Sequence, residues 1–518
     1  MPLKLRNTLT RSLEPFEPRE PGKAGVYVCG PTVYDYFHVG NARPFVVFDV
    51  LRSYLEYLGL EVTYVQNITD IDDKIINRAR AEGTTSAAVA ERFAQAYRED
   101  VAALGVRPPT HQPTATGHVS QIIRLIRTLE ERGLTYTQDG DVYYRVQSFP
   151  GYGKLSGKKL DDLRLGASGR TEATHEQRKE HPADFALWKA QKEPDEPAWG
   201  SPWGQGRPGW HIECSAMSQS LLGESFDVHA GGEDLTFPHH ENEIAQSEGA
   251  SGQPYARYWL HNAYLNVAKE ETPLTAEQQQ LVAQLELAVK QGDAERKRRL
   301  LDELAAENVY VLVDEQGALQ FKGSKSLGNV PRVREIFARG FGGEVVRFFL
   351  LRAHYRAPLA FSWGGLKEAK TALARWAEAR QRLADAAPAG EGPGELAAAA
   401  DAARERFGAA MDDDLNTAGA IGAAFELIGA SNRALDQQTA SAADLERARE
   451  TLDTIQRVLG IAFPAAEDLS PEEQALFDAR AEARATKQWA ESDRLRDELL
   501  ARGVQVRDTP EGQTWTRS

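Results

Sequence analysis

The 518-residue sequence has only two cysteines, no long apolar run and no excess of positive charge. Two cysteines cannot build a disulfide framework, so we expect a protein of a reducing compartment, the cytoplasm. No segment reaches the roughly 18 apolar residues of a membrane-spanning helix, and the charged first 20 residues do not resemble a signal peptide. A net charge of −15 argues against coating nucleic acid by bulk electrostatics, although it is compatible with a local basic face.

Both cysteines lie in motifs rich in histidine and glutamate. Cys29 ends an apolar run, and Cys214 lies in the sequence GWHIECSAM, shortly before PHHENE. His239 and Glu243 are four residues apart, so one face of a helix would present both. Because thiolates favour zinc over magnesium or calcium, these four residues form a candidate zinc site. Competing ligands that the spacing does not reject are His240 and Glu241.

Strand and helix patterns alternate at the start of the chain. Residues 25–29 are predicted to form a buried strand, residues 39–58 a helix, and residues 60–66 a second strand before another helix. This alternation predicts a parallel sheet of βαβ units. The stretch from about 110 to 208 has charged turns and Gly/Pro clusters, so we interpret it as an insertion into that sheet.

The second half of the chain is mainly helical by its apolar spacing. After a strand at 225–230 we expect the following elements: a helix from about Phe237 to Glu248, a charged helical hairpin within 269–308, a β-hairpin at 309–321, an Ala-rich helical bundle at 366–459, a helix at 471–502, a strand at 504–506 and a turn at 512–515.

Two further motifs have the chemistry of a phosphate site. His38-Val39-Gly40-Asn41 follows a strand and a Gly-Pro turn at a helix start, where backbone donors and the helix dipole attract anions. Gly40 leaves room for a base or phosphate, and His38 can donate to phosphate oxygens. Lys322 and Lys325 lie three residues apart on a Gly/Ser loop, which suits a clamp that neutralises charge growing on a transferring phosphate.

With these motifs the chain resembles the cysteinyl-tRNA synthetases, a family of class I aminoacyl-tRNA synthetases. The likeness extends over nearly the whole chain and includes seven segments in the order typical of the family: Cys29 to Arg43, Asn67 to Asp73, Gly209 to Ser218, His229 to Glu248, Trp259 to Asn262, Lys322 to Asn329 and Asp508 to Trp515.

The resemblance implies a role for each candidate residue. The catalytic residues would be His38, Lys322 and Lys325, and ATP-Mg²⁺ would be bound by Thr32, His38, Gly40, Asn41, Lys322 and Lys325. L-cysteine would be bound by Thr69, Trp210 and Asp234. One zinc ion per subunit would be held by Cys29, Cys214, His239 and Glu243. A metal that binds thiolate more readily than hydroxyl would separate cysteine from serine.

The resemblance also implies the architecture: a class I Rossmann-type parallel sheet with an inserted domain, then a helical bundle and a small C-terminal α/β domain. Residues 1–110 and 209–330 are expected to form the two halves of the catalytic domain, with 111–208 as the inserted domain between them. Residues 331–365 would form a stem-contact region, with the lysine loop 322–326 at its start. Residues 366–463 would form a tRNA-binding bundle and residues 464–518 an anticodon-binding domain. The helical insertion at about 269–308 is a departure from the family, as is Gly323 in place of the usual methionine.

The implied partners are tRNA(Cys), ATP and L-cysteine, with no membrane, and family habit implies a monomer. Candidate tRNA contacts near the C-terminus are Arg480, Arg484, Lys487, Arg494, Arg496 and Arg502, with Trp489 and Trp515 for stacking on unpaired bases. Two alternatives stay open: a ligase that passes adenylated cysteine to an amino-sugar, and a catalytically inactive paralogue that only binds tRNA or senses cysteine. Lys322, Lys325 and His38 argue against the second alternative.

Overall fold

The computed structural model describes residues 2–160, 179–268, 274–307, 309–313, 317, 319–322, 330–463, 469–509 and 512–517. They belong to two compact units, Met1–Ile461 and Ala462–Ser518. Lys325 and most of the predicted lysine loop lie outside the described residues. Among the helices described, none combines the length and apolar character that crossing a bilayer requires.

The first part of the chain alternates strands and helices, as its sequence predicts. Its elements are β1 (Lys4–Asn7), β2 (Ser12–Pro15), β3 (Lys23–Val28), α1 (Val39–Tyr57), β4 (Glu61–Gln66), α2 (Asp73–Glu82) and α3 (Ser86–Ala103). Strands β3 and β4 pair in parallel. Helix α2 begins where the Asp72 side chain accepts a hydrogen bond from the backbone of Lys74, and it ends at Gly83 in the left-handed conformation.

The inserted region contains an antiparallel sheet that the sequence analysis did not predict. Its elements are α4 (Val119–Glu131), β5 (Thr135–Gln138), β6 (Asp141–Tyr144), β7 (Phe185–Ala190), β8 (Trp199–Ser201) and β9 (Gly204–Pro208). The strand order is β5-β6-β7-β9-β8. Helix α4 buries Ile122, Leu125, Ile126 and Leu129 because apolar residues at spacings of three and four share one face.

The chain then returns to the parallel sheet through α5 (Trp210–Leu222), β10 (Phe226–Gly232), α6 (Glu241–Ser251) and β11 (Ala256–Asn262). The sheet order is β11-β10-β3-β4, with every neighbouring pair parallel, which confirms the predicted class. The predicted helix start at Phe237 is wrong, since α6 begins at Glu241 and Phe237 has extended backbone angles. A residue that precedes proline is disfavoured in the helical region, and Pro238 follows Phe237.

The two predicted hairpins after the sheet are both present. The elements are β12 (Leu265–Ala268), α7 (Ala276–Gln291), α8 (Ala294–Ala306), β13 (Val311–Val313) and β14 (Leu319–Lys322). Helices α7 and α8 reverse direction at Gly292, and their inner faces pack with Phe321 into one small core. Strand β14 pairs antiparallel with both β12 and β13, so the helical hairpin stands on a β-sheet beside the main sheet.

A helical bundle completes the first unit. Its elements are α9 (Val333–Ala338), α10 (Gly343–Leu351), β15 (Leu359–Phe361), α11 (Trp363–Asp385), α12 (Glu395–Asp412), α13 (Thr417–Asp436) and α14 (Ala442–Leu459). The buried Arg347 on α10 donates to the carboxylate of Asp49 on α1 at 2.7 Å and to the carbonyl of Leu459 on α14 at 2.8 Å. One guanidinium therefore joins the parallel-sheet region to the bundle.

The second unit contains α15 (Pro471–Ala485), α16 (Trp489–Ala501), β16 (Val504–Thr509) and β17 (Gly512–Arg517). The turn predicted at 512–515 is wrong, because these residues begin β17, which pairs antiparallel with β16. Alternating Thr and Trp residues suit a half-buried strand. Arg480 is also not a surface contact: its side chain is 1% exposed and paired with Asp508.

Candidate functional site

Four side chains from three separate segments meet at the carboxyl end of β3. Cys29 follows β3, Cys214 lies on α5, His239 precedes α6 and Glu243 lies in its first turn. Their ligand atoms all lie within 4.8 Å of one another, and all four residues are buried. The Cys29 Sγ atom is 3.6 Å from Glu243 Oε1, which is 3.1 Å from His239 Nε2. The structure thus brings together the four predicted metal ligands.

The spacing of the two sulfurs fits a metal better than a disulfide. The Sγ atoms of Cys29 and Cys214 are 3.8 Å apart, whereas a disulfide bond is about 2.05 Å long. Two sulfurs bound at about 2.3 Å to a tetrahedral zinc ion lie about 3.8 Å apart. Two thiols, one imidazole and one carboxylate also form a donor set that suits zinc. The residues present therefore fit a zinc ion.

The convergence depends on a glycine next to the first ligand. A Cβ atom on Gly30 would lie 1.6 Å from the backbone oxygen of Asn67, so no other residue fits there. The Gly30 amide donates to Asn67 Oδ1 at 2.8 Å. The loops that follow β3 and β4 are consequently fastened together at the carboxyl edge of the sheet, where ligands of open α/β sheets bind.

The electrostatics of the cluster favour a thiolate at Cys214 and a carboxylate at Glu243 but a proton on His239, and burial raises the pKa of Cys29 well above its usual value. Metal binding would therefore release protons from Cys29 and His239. The hydrogen bond from Cys29 lowers the pKa of Cys214 to about 6, with His239 acting in the same direction. Burial opposes a charge on His239, but the Glu243 and Cys214 charges raise its pKa to about 9. The pKa of Glu243 is well below its usual value because His229 and His239 outweigh burial. A thiolate and a carboxylate are the forms that bind a cation.

Three residues that the sequence analysis did not select hold the ligands in place. His229 Nε2 donates to Glu243 Oε2 at 2.9 Å, and the Tyr255 hydroxyl donates to the same oxygen at 3.2 Å, which leaves Oε1 facing Cys29. His211 Nδ1 lies 3.0 Å from His239 Nδ1. Such outer partners fix ring orientation and ligand basicity. His211 and His229 occur inside the quoted motifs, but only the fold shows what they contact.

The two competing ligands have other partners. The Glu241 carboxylate accepts hydrogen bonds from the backbone of Gly153 at 2.9 Å and of Ser156 at 2.8 Å, so it holds a loop of the inserted region. His240 Nδ1 pairs with His261 Nε2 at 2.8 Å, and burial keeps the pKa of His240 well below its usual value. Within the described residues, a second group of possible ligands contains Cys29, His229, His240 and Glu243.

A pocket of about 430 Å³ opens from the four-residue cluster and contains the predicted cysteine-binding residues Thr69, Trp210 and Asp234. The Trp210 ring lies 4.2 Å from the His239 ring, centroid to centroid. Thr69 is buried, and its hydroxyl accepts from Asn67 and donates to the buried Glu213 carboxyl group. The predicted amino-acid pocket and the metal ligands are thus one continuous site.

The predicted nucleotide-binding residues line the other end of the same pocket: Thr32, His38, Gly40 and Asn41. His38 precedes α1, and its Nδ1 atom lies 2.9 Å from the carbonyl oxygen of Val330. The Val39 amide donates to the carbonyl of Pro331 at 3.1 Å. The backbone of Lys322 ends β14 opposite Asn266. The chain that follows the lysine loop is therefore adjacent to the helix start, while Lys325 lies outside the described residues.

Comparisons with known proteins agree over the whole chain. Residues 15–301 match the family model for the tRNA synthetases class I (C) catalytic domain. Residues 406–463 match the DALR domain, and residues 466–515 match the cysteinyl-tRNA ligase anticodon binding domain. A cysteine–tRNA ligase of Symbiobacterium thermophilum is 47% identical, with 100% of both chains covered. One of Caldicellulosiruptor saccharolyticus is 45% identical, with 98% of both chains covered.

Solved structures with a similar fold include two aminoacyl-tRNA synthetases. A methionyl-tRNA synthetase of Mycobacterium tuberculosis with methionyl-adenylate superposes with a TM-score of 0.54 at 16% identity, covering 91% of this chain and 96% of that one. A leucyl-tRNA synthetase of Agrobacterium radiobacter in a ternary complex has a TM-score of 0.53 at 12% identity, covering 86% and 85%. At such identities the likeness concerns the fold alone.

Proposed function

The chain belongs to the cysteine–tRNA ligase family of ATP-dependent class I aminoacyl-tRNA synthetases, and on that basis we propose how its pocket performs the reaction. It activates L-cysteine with ATP and transfers the cysteinyl group to the 3′ end of tRNA(Cys). The relatives support this activity and neither of the two alternatives, an amino-sugar ligase or an inactive paralogue. The observation that carries the mechanism is the continuity between the four-residue cluster and the pocket end that contains His38.

The first step is attack of the cysteine carboxylate on the α-phosphate of ATP-Mg²⁺, which gives cysteinyl-adenylate and pyrophosphate. Catalysis of this step requires positioning and neutralisation of charge on the phosphates. His38, Gly40 and Asn41 bind ATP at the start of α1, where the helix dipole favours anions. Lys322 and Lys325 supply positive charge, and Thr32 contributes to the same site. The hydrogen bonds between residues 38–39 and 330–331 support this arrangement.

The cysteine substrate is held between Thr69, Trp210 and Asp234, with its side chain toward the four-residue cluster. Cys29, Cys214, His239 and Glu243 would hold one zinc ion per chain. A bound zinc ion supplies a ligand site that takes a thiolate far more readily than a serine hydroxyl. A hydrophobic pocket alone separates near-isosteres by only about 1–3 kcal/mol, which is too little to exclude serine.

The remaining regions provide the tRNA contacts. We assign residues 111–208 to an inserted domain within the catalytic halves 1–110 and 209–330, and residues 331–365 to the stem-contact region. The bundle at 366–463 and the C-terminal residues 464–518 bind tRNA, the latter at the anticodon. The matches to the DALR and anticodon binding domains support these two assignments. The enzyme acts as a monomer in the cytoplasm, where the two free thiols of the site stay reduced.

The test is cysteine-dependent exchange of pyrophosphate into ATP, with serine as the competing substrate and zinc measured in the same preparation. Wild type should exchange with cysteine only and contain about one zinc per chain. Changes to outer partners of a metal cost about 10–100-fold in metal affinity or activity, so loss of a ligand in Cys214→Ser should reduce exchange and zinc affinity by more than that and leave less zinc in the preparation.

The matched control is Ser220→Ala, a change on the exposed face of the same helix α5. It should keep both exchange and zinc. Exchange that persists without zinc, or equal exchange with serine, would contradict the metal's role. Exchange without charging of tRNA(Cys) would contradict the second transfer and revive the amino-sugar alternative.

A further inference from the structure

A second cavity lies at the base of the helical hairpin α7–α8. It has a volume of about 260 Å³ and is lined by Tyr264, Asn266, Leu301, Ala305, Tyr310, Val311 and Leu312. Tyr264 also lines the active-site pocket, so the two cavities share a wall. The volume is below the roughly 300–1,000 Å³ of sites for drug-sized ligands, which suits a single ring system.

The rim of this cavity exposes apolar surface that the hairpin does not need for its own packing. Tyr310 and Leu312 are each 48% exposed. The hairpin's core is formed instead by other residues: Val282, Leu285, Ala288, Leu300, Leu304, Val309 and Phe321. Exposed apolar side chains around a concavity are typical of a binding site.

Positive charge lies on the same helix face as the cavity. Residues 296–299 of α8 are four consecutive cations in a chain of net charge −15. Lys297 lies four residues before Leu301 and eight before Ala305, so the three share a face, and Arg298 is adjacent. Cations near the start of a helix oppose its dipole, so helix stability does not explain them. A local basic patch beside an apolar cavity matches an acidic partner that carries flat rings.

We propose that this cavity and its cations bind the unpaired 3′ end of the tRNA. One base lies in the cavity against Tyr310 and Leu312, and Lys297 and Arg298 bind the neighbouring phosphates. Unpaired bases stack on aromatic side chains while flanking cations follow the backbone. The 3′ end must enter the active-site pocket to receive the cysteinyl group, and Tyr264 forms the wall between the two cavities. This inference rests on the proposed function.

The experiment compares tRNA charging by wild type, Leu312→Glu and the double variant Lys297→Glu/Arg298→Glu. The matched control is Leu287→Glu, since Leu287 is 45% exposed on α7 and outside the cavity wall. Leu312→Glu and the double variant should each raise the KM for tRNA about tenfold, the loss expected for one stacked base or a pair of phosphate contacts. Leu287→Glu should change it less than about twofold, in the range of ordinary surface changes.

A tRNA that lacks its unpaired 3′ nucleotides tests whether these nucleotides are what the cavity binds. Removing the unpaired 3′ nucleotides should weaken binding to wild type about tenfold but add little to the loss in Leu312→Glu, because both changes remove the same contact. The inference would be overturned if truncation weakened binding equally in wild type and in Leu312→Glu. An unchanged KM for tRNA in the double variant would also overturn it. Exchange of pyrophosphate needs no tRNA, so its absence from wild type would instead contradict the proposed function.

Discussion

The Nδ1 atoms of His211 and His239 lie 3.0 Å apart, so one ring must donate the proton that the other accepts. The Nε2 atom of His239 faces Glu243 Oε1 at 3.1 Å and must keep its lone pair for a metal. The proton of His239 therefore belongs on Nδ1, and His211 is its acceptor. This hydrogen bond keeps the Nδ1 proton in place when a metal displaces the proton on Nε2, and so selects the ligating tautomer.

We expect His211→Ala to lower the affinity for zinc about 10–100-fold, because outer partners of metal ligands typically have effects of this size. The measurement is competition with a chromophoric chelator, which reports metal binding without reference to activity. His211→Asn keeps an acceptor and should retain more affinity than His211→Ala. Equal affinities in wild type and His211→Ala would show that the ring does not position His239.

Much of the parallel sheet can be predicted from the sequence. The apolar strand before Cys29, the amphipathic helix α1 and the second strand identify a βαβ unit. In such sheets the loops after the strands share one edge, which explains why Cys29 and Thr69 line one pocket. The four ligands could be proposed because thiols, imidazole and carboxylate are chemically distinctive.

What the sequence could not predict depends on contacts between distant segments. Spacing alone does not separate Glu241 from Glu243, because the choice depends on Gly153 and Ser156, which occupy the Glu241 carboxylate. The burial of Arg480 was missed for the same reason, since a basic residue on a charged helix resembles a surface contact until Asp508 is placed beside it. The antiparallel sheet of the inserted region has short strands with little periodicity.

The buried His261 should make stability depend on pH. Burial lowers its pKa to about 3, whereas the unfolded chain has a histidine pKa of about 6.5. Between these values the unfolded state binds more protons, so stability rises with pH and falls on acidification below about 6.5. From pH 6.5 to pH 5 this one group should remove about 2 kcal/mol.

The measurement is urea unfolding of His261→Asn and wild type at pH 5, 6 and 8 in the presence of a chelator. At pH 8, the difference in unfolding free energy between wild type and variant gives the cost of losing the packing of His261 and its hydrogen bonds to Thr8 and His240. On acidification the variant should lose about 2 kcal/mol less than wild type. If the unfolding free energies of wild type and variant change equally with pH, His261 is not a neutral ring in the folded protein.

Arg347 should be among the most sensitive positions for stability in the first unit. Its guanidinium is buried and binds Asp49 and the carbonyl oxygens of Leu459, Leu104 and Gly105. Removing one partner of a buried pair costs about 3–5 kcal/mol when the other charge stays uncompensated. Asp49 would keep its 3.3 Å contact with the more exposed Arg107, so the low end of that range applies. We expect that loss for Arg347→Met in urea unfolding followed by tryptophan fluorescence.

Its matched control is Arg352→Met, because Arg352 pairs with Glu368 at the surface, where the two side chains are 37% and 69% exposed. An exposed pair contributes about 0–1 kcal/mol. If both variants lose the same free energy of unfolding, the burial of Arg347 between α1, α10 and α14 does not make it contribute more to stability than a surface arginine.

Arg480 should stabilise the C-terminal unit and should not contact tRNA directly. Its two terminal nitrogens donate to the two carboxylate oxygens of Asp508 at 2.9 and 3.1 Å, which fixes α15 against β16. Lysine cannot form this two-pronged contact, so Arg480→Lys should destabilise the unit by about 2 kcal/mol, while the exposed Lys487→Met should not. Limited proteolysis of the full chain, followed by mass spectrometry of the fragments, would show faster cleavage after residue 461 in Arg480→Lys alone. Unchanged cleavage combined with weaker tRNA binding would mean that the guanidinium acts on RNA, and that the pair with Asp508 opens to reach it.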